Sequence, residues 1–550
     1  MRIENEKILL ISIDNPSAKV DIFIGFRKII VTFSVILRIY NYQFSIHPLE
    51  VQDLLKQYAA HPQVAALNTL LKNKTSRNIF LKGLNGSGAA MTIASLFSKR
   101  RGSYVCVLND LEDAGYFYHD LVQLTGGDGI YFFPSAYRRA IKYGHVDPAN
   151  EILRTEVLST LQDPTAPFII VTYPEALAEK VISREVLKEN TLKISVGERL
   201  DNMFVSDVLD EYGFEQVDYV YEPGQYAMRG SILDVFSFSY EFPYRIDFFG
   251  NEVETIRSFD VETQLSKEKL DSIYIVPEMT KGNRTNSSLL DSLPSETLLA
   301  SKDMAWVKER IGSIWNEEPI IGDEESFANI EQLRAKLITG EDFLHAALGF
   351  CRLHFGTRPM EVADATLTFS MEAQPIYHKN FDLVSESFHK YLEDGYTLYI
   401  LSDVEKQATR IRAIFEDRGD DIPFTSVNKT IHEGFADETL RVCLFTDHQL
   451  FDRFHKFNLK SDKARSGKLS LSLKELNQFT TGDYIVHIDH GVGQFGGLVR
   501  TEVNGKMQEA IRLIYQNNDI IFVSIHSLHK LSKYKGKDSG EPPKLSKLGT

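Results

Sequence analysis

The octapeptide Gly83-Leu84-Asn85-Gly86-Ser87-Gly88-Ala89-Ala90 is set between two regular elements. Asn78-Ile79-Phe80-Leu81-Lys82 before it reads as a short buried strand, and Ala89 to Lys99 has the Ala, Leu and Met content of a helix. A strand that passes through a glycine loop into a helix constrains the chain to a layered α/β architecture. The octapeptide has the G-x-x-x-x-G-K-[ST] frame of a phosphate-binding loop, but alanines stand where the lysine and the hydroxyl residue belong. In a working loop, backbone N–H groups cradle the phosphates, the lysine reaches the outer ones and the hydroxyl ligates magnesium. Ala89 and Ala90 supply neither group, so the sequence predicts the fold of a nucleotide site without its chemistry.

Further strands are expected at Ser103 to Leu108, Ile130 to Phe133 and the apolar run Phe168-Ile169-Ile170-Val171. Uninterrupted runs separated by helices suit a parallel sheet covered on both faces. The texture changes between about 191 and 275 to short alternating strands. Arg229 to Ser237 and Tyr244 to Phe259 carry it, the latter broken by Gly250-Asn251, a dipeptide suited to a two-residue hairpin turn. An α+β insertion is predicted there. Helix and strand return from about 276 to 362. After the strand Thr297-Leu298-Leu299-Ala300 a working ATPase of this architecture would place a metal-binding acidic pair, whereas Ser301-Lys302 follow. A further α/β segment at 363–460 has strand candidates at Thr397 to Leu401 and Arg441 to Phe445 and no catalytic grouping. Arg453 to Lys474 holds seven Lys/Arg against the single acid Asp462 and reads as a solvated tether. Short strands at Tyr484 to Ile488, Ala510 to Tyr515 and Ile520 to Val523 then predict a small β-barrel.

At 550 residues the chain has room for several domains. With 61 basic and 76 acidic residues the formal charge is −15. Nonspecific DNA binding rests on clustered Lys/Arg releasing counterions, so protein partners are the first expectation. Cys106, Cys351 and Cys443 are odd in number and far apart, which argues against a disulfide framework and a zinc site and suits a reducing cytosol. The apolar stretch Ile29 to Tyr40 holds Thr32, Ser34 and Arg38 and is too short to span a membrane. Nor does it have the form of a signal peptide.

Strand periodicity puts Arg245, Asp247 and Phe249 on one face of the predicted hairpin and Tyr244, Ile246 and Phe248 on the other. Arg beside an exposed aromatic is the composition of a protein-binding hot spot. The competing reading is that Arg245 pairs with Asp247 or a neighbouring carboxylate and that Phe249 caps the core edge. His487, Asp489 and His490 resemble metal ligands, but on a strand His490 points away from the other two, so no metal site is expected. No catalytic triad or paired-carboxylate set stands out.

Two segments, Tyr226-Ala-Met-Arg-Gly-Ser-Ile-Leu-Asp-Val-Phe236 and Pro243-Tyr-Arg-Ile-Asp-Phe-Phe-Gly-Asn-Glu-Val-Glu-Thr-Ile-Arg-Ser-Phe-Asp260, resemble the UvrB-homology module. Gly482-Asp-Tyr-Ile-Val-His-Ile-Asp-His-Gly-Val-Gly-Gln-Phe495, with Val523-Ser-Ile-His-Ser-Leu-His529, resembles the RNA-polymerase-interacting domain, also found in CarD-type regulators. The order of modules from about residue 45 is similar to that of the transcription-repair coupling factor (Mfd) family.

The resemblance implies a multidomain α/β protein. It comprises a RecA-like UvrB-homology domain of degenerate P-loop NTPase fold with an α+β insertion, a further small α/β domain, and a C-terminal SH3/Tudor-like CarD-like β-barrel. The implied boundaries run as an N-terminal extension at 1–44, domain 1a at 45–190, a UvrA-binding domain 2 at 191–275 and domain 1b at 276–362. They continue with an α/β domain at 363–460, a basic linker at 461–475, the RNA-polymerase-interacting domain at 476–535 and the start of a linker at 536–550. The family's UvrA contacts fall on Arg229, Arg245 and Phe249, and its contact to the RNA polymerase β subunit falls on Ile511. Gly83, Gly88, Ala89 and Ala90 mark a loop that holds no cofactor. ATP, Mg2+ and translocation on double-stranded DNA belong, by the same resemblance, to C-terminal motor domains beyond residue 550. The chain is then expected to be a cytoplasmic, monomeric, non-catalytic adaptor in transcription-coupled nucleotide excision repair. A UvrB-like ATPase and a CarD-like transcription regulator are the alternatives.

Overall fold

A computed structural model describes residues 49–136, 148–316, 334–459 and 480–534, together with 543 and 545–547. Positions 164, 239, 262, 278–284, 360, 458, 488–489, 504–505 and 525–530 lie outside the described residues. So do the N-terminal extension at 1–44 and the linker at 461–475.

Seven strands form one parallel sheet, in the order Ala365–Thr368, Asn78–Lys82, Cys351–His354, Leu298–Ser301, Ser103–Val107, Phe168–Thr172 and Ile130–Phe132. Every neighbouring pair is parallel. The run at 168–172 is buried at all five positions, as a strand covered on both faces requires. Helices Val51–Ala59, Gly88–Lys99, Leu111–Thr125 and Met304–Asn316 contribute Leu54, Ile93, Leu121 and Val307 to the core that includes Val105, Ile170 and Leu299. Strand Ala365–Thr368 lies past the expected boundary at 362 yet forms the sheet's edge beside Asn78–Lys82.

Between Phe168–Thr172 and Leu298–Ser301 the chain leaves this sheet for a second one. Strands Leu192–Ser195 and Ser272–Ile275 pair antiparallel, so the insertion departs and returns at one point. Its six-stranded sheet runs in the order Ser266–Leu270, Glu252–Phe259, Tyr244–Phe249, Ile232–Phe236, Gln225–Arg229 and Glu215–Gln216. Arg229 to Ser237, a single stretch in the sequence reading, is two strands in the structure, with Arg229 paired to Ile232 across a turn. Gly250 takes φ +63° where Phe249 pairs with Glu252, the positive φ that a two-residue loop demands. One face of this sheet buries Tyr226, Leu233, Val235, Ile246 and Phe248 against Val205 and Leu209 of helix Asn202–Glu211.

A third, mixed sheet orders Met371–Ala373, Phe435–Asp437, Val442–Thr446, Thr397–Leu401 and Thr425–Val427. A fourth, antiparallel throughout, orders Ile520–Ser524, Lys506–Ile514, Gly491–Val503, Tyr484–His487 and Leu531–Lys533. Ser546, within the expected linker, is tied to it: its N–H donates to the Val492 carbonyl at 2.8 Å and its Oγ accepts from the Val492 N–H at 2.9 Å. No helix among the described residues is long and apolar enough to cross a membrane.

Candidate docking surfaces

The glycine loop sits at the carboxyl end of strand Asn78–Lys82, the crevice where open α/β sheets hold ligands. Gly83 adopts φ +83° and Gly86 φ +52°, and Gly88 opens helix Gly88–Lys99. Ala90 is 1% exposed in the core beneath the helix, with Ala89 packed beside it. The Ser87 N–H, a candidate phosphate donor, instead donates to the Glu433 carbonyl at 3.0 Å. Ser301 and Lys302, at the end of their strand, are also committed to protein partners. The Ser301 Oγ lies 3.3 Å from His354 Nδ1, and Lys302 Nζ donates to Asp113 at 2.7 Å.

On the insertion's second face Arg229, Asp234, Arg245, Asp247 and Arg257 share one side of neighbouring strands, because Ala227 and Arg245 both stand opposite Asp234. Asp234 is 1% exposed and joins two of the predicted residues. Arg245 donates to both its carboxylate oxygens, at 2.7 and 2.8 Å, and Arg229 donates to it as well. Arg229 also reaches the Asp218 carbonyl at 2.9 Å. The guanidinium of Arg245 lies 4.2 Å over the Phe259 ring and that of Arg229 5.1 Å over Tyr219, so both cations are held by a shared anion and an aromatic face. The hydrogen bonds that Arg245 donates to Asp234 raise its pKa.

Arg245 thus pairs with a neighbouring carboxylate rather than Asp247, which takes Arg257 at 2.8 Å and Thr255 at 2.7 Å. Phe249 does not cap the core. It is 79% exposed, beside the hairpin tip and on the same face as the two arginines. The sequence reading passed over Asp234. Its signal was a single carboxylate inside the otherwise apolar strand Ile232–Phe236, where burial without a partner would be costly.

In the terminal sheet Ile511, where the resemblance puts the RNA polymerase contact, is fully buried and belongs to the core with Ile485, Phe495, Leu513, Tyr515 and Val523. Strand alternation is the reason, since Ile511 stands opposite Val523 and points inward while Arg512 and its partner Phe522 point outward. Among the described residues of this sheet, exposed large apolar side chains are Phe522 (54%) and Ile520 (46%), on the strand at the sheet's edge, and Leu498 (46%) on strand Gly491–Val503.

His487 and His490 lie with ring centroids 4.6 Å apart, because His490 falls in the turn after strand Tyr484–His487, where alternation no longer applies. Asp489 lies outside the described residues, and among those described no group of three His, Cys, Asp or Glu could hold a metal. In the first part of the expected tether His455, Phe457 and Leu459 pack against the protein, while Arg453, Phe454 and Lys456 are exposed. The Tyr116 hydroxyl donates to the His455 carbonyl at 2.7 Å, Phe457 stacks edge-on to Tyr116, and Leu459 is 6% exposed.

Residues 192–280 match the family model of the UvrB interaction domain, and residues 479–535 match that of the CarD-like/TRCF RID domain. Most of the chain is also similar to proteins named transcription-repair-coupling factor. The relative from Staphylococcus aureus strain bovine RF122 / ET3-1 is 23% identical over 86% of this chain and 46% of its own length. The relative from Bacillus subtilis strain 168 is 22% identical over 85% of this chain and 46% of its own. The chain therefore spans about half the length of the curated relatives it matches.

Proposed function

We propose that this chain is the adaptor portion of a transcription-repair-coupling factor, bridging UvrA and RNA polymerase in transcription-coupled repair of damaged DNA. The observation that carries the reading is the pairing, on one chain, of a UvrB interaction domain displaying Phe249 beside the Arg229–Asp234–Arg245 network with a CarD-like domain displaying an apolar edge strand. Arginines immobilised by a buried carboxylate lose little side-chain entropy on binding, and an exposed aromatic next to them supplies area to bury. UvrA docks there. The RNA polymerase β subunit docks on the terminal, SH3/Tudor-like barrel through Phe522 and Ile520, since an edge strand with outward apolar side chains suits strand addition by a partner.

The strand–loop–helix at residues 78–99 is a degenerate P-loop in a RecA-like fold, kept as scaffold. ATP, Mg2+ and movement on double-stranded DNA belong to motor domains that the relatives' remaining length accommodates. The chain itself works in the cytoplasm as a monomer without catalysis.

The test is a paired binding measurement with purified UvrA and the polymerase β subunit. Arg229→Ala and Arg245→Ala are expected to weaken UvrA binding by about 2 kcal/mol, roughly thirtyfold, and to leave polymerase binding unchanged. Unchanged UvrA affinity in both variants would count against the assignment, as would magnesium-dependent ATP hydrolysis by the chain.

A further inference from the structure

The mixed sheet spanning residues 371–446 has no part in the docking surfaces, yet its chain is seated in the glycine loop. The Ser87 N–H donates to the Glu433 carbonyl, and the Glu433 N–H donates back to the Ser87 Oγ, each at 3.0 Å. Asn85 Nδ2 donates to the Met371 carbonyl at 2.7 Å. A Cβ on Gly83 would stand 2.2 Å from the Phe369 carbonyl oxygen, one on Gly86 2.7 Å from that of Gly434, and one on Gly88 2.5 Å from Met371 Sδ. The three glycines that would let a backbone approach phosphate closely let it approach protein instead.

The inserted stretch His432–Gly434 is itself fixed from several sides. Its His432 N–H donates to the buried Asp120 carboxylate at 2.6 Å, and the His432 ring stacks on Tyr116 at 3.6 Å between centroids and 13° between planes. His448 Nε2 contacts the His432 carbonyl at 2.8 Å, and the Gly434 N–H donates to Gln449 Oε1 at 2.7 Å. Farther along, Tyr58 donates to Asp437 at 2.9 Å.

We propose that His432–Gly434 is a permanent internal occupant of the phosphate-type loop. The Glu433 carbonyl oxygen takes the hydrogen bond that a phosphate oxygen would accept from a loop amide, and the 371–446 sheet locks it there. The residue types at 89 and 90 are then not what closes the loop to nucleotide. The closure is intramolecular, and it fuses the mixed sheet to the carboxyl end of the parallel sheet as one clamp.

The experiment has two arms on the full chain. Ala89→Lys with Ala90→Thr restores the side chains of a working loop, and this variant is expected to show no binding of a fluorescent ATP analogue with magnesium and no rise in thermal midpoint with millimolar Mg-ATP. Nucleotide binding by the double variant overturns the proposal. Hydrogen exchange on the unaltered chain, which does not depend on a variant folding, reads the closure directly. The Ser87 and Glu433 amides are expected to exchange at least about a thousandfold more slowly than an open loop would, and Mg-ATP leaves them unmoved. Fast exchange at Glu433, or exchange accelerated by Mg-ATP, marks a movable lid and overturns the proposal.

Discussion

Replacing Asp234 by asparagine removes one charge without changing shape and tests whether this carboxylate is what aligns the two arginines. Asp234 accepts two hydrogen bonds from Arg245 and one from Arg229. A hydrogen bond to a charged group contributes about 1.5–3 kcal/mol. Asparagine keeps a single acceptor oxygen and turns an NH2 toward donors, so at least one of the three bonds is lost and the others weaken. The Arg229 side chain is 34% exposed and that of Arg245 16%, so water partly replaces what they lose. The expected cost is about 2–4 kcal/mol, confined to the insertion. The assay follows from where the tryptophans lie. Trp306 and Trp315 are both on helix Met304–Asn316 of the parallel-sheet unit, so their fluorescence does not report on the insertion. Native-state hydrogen exchange at Ile232–Phe236 does. Faster exchange there, with an unmoved tryptophan transition and weaker UvrA binding, fits the reasoning. A cost below about 0.5 kcal/mol, within the range of ordinary surface substitutions, refutes it.

Phe249→Ala separates binding from folding: at 79% exposure it leaves urea stability within about 0.5 kcal/mol and weakens UvrA binding by about 2 kcal/mol, read by calorimetry. In the terminal sheet the contrast runs between neighbours in space. Ile511→Ala costs about 2–5 kcal/mol of stability through a core cavity, whereas Phe522→Ala leaves the fold intact and weakens capture of the polymerase β subunit, both read by thermal unfolding and pull-down.

Acidification from pH 7 toward about 5 lowers stability. Burial holds His119 and His432 down at about 4 and lowers His448 and His455, so unfolding takes up protons at each of the four below the ordinary histidine range. Asp120 opposes them: burial pushes it up to about 7, so over the same window its carboxyl releases a proton on unfolding. His354, which burial also holds down at about 4, adds a further uptake, and Glu179, raised by burial, a further release. The uptakes outnumber the releases, and Asp120→Asn makes the acid loss steeper, as thermal midpoints across the pH range would record.

The parallel sheet was legible because its strands are continuous apolar runs: 78–82, 103–107 and 168–172 emerge where the sequence predicts them. The alternation of 244–249 likewise placed Phe249 on the open face, since period two decides sidedness without knowledge of any partner strand. The same rule could not decide which face of 506–514 is core. Ile511 and Arg512 differ in polarity, but which side closes over Phe495 and Val523 depends on pairing across the sheet, and the expected contact residue proved to be interior.

What the sequence determined by itself was local: a glycine loop between strand and helix, the absence of lysine and hydroxyl at 89 and 90, and two long motifs that match their family models. What only the tertiary structure decided was pairing between distant segments. Asp234 reaches Arg245 across a strand pair, and Glu433 reaches Ser87 across a separation of 346 positions in the chain. Hydrogen bonds of this kind leave no periodicity in the sequence, because a single buried donor or acceptor is satisfied by whichever partner the fold brings within 3 Å.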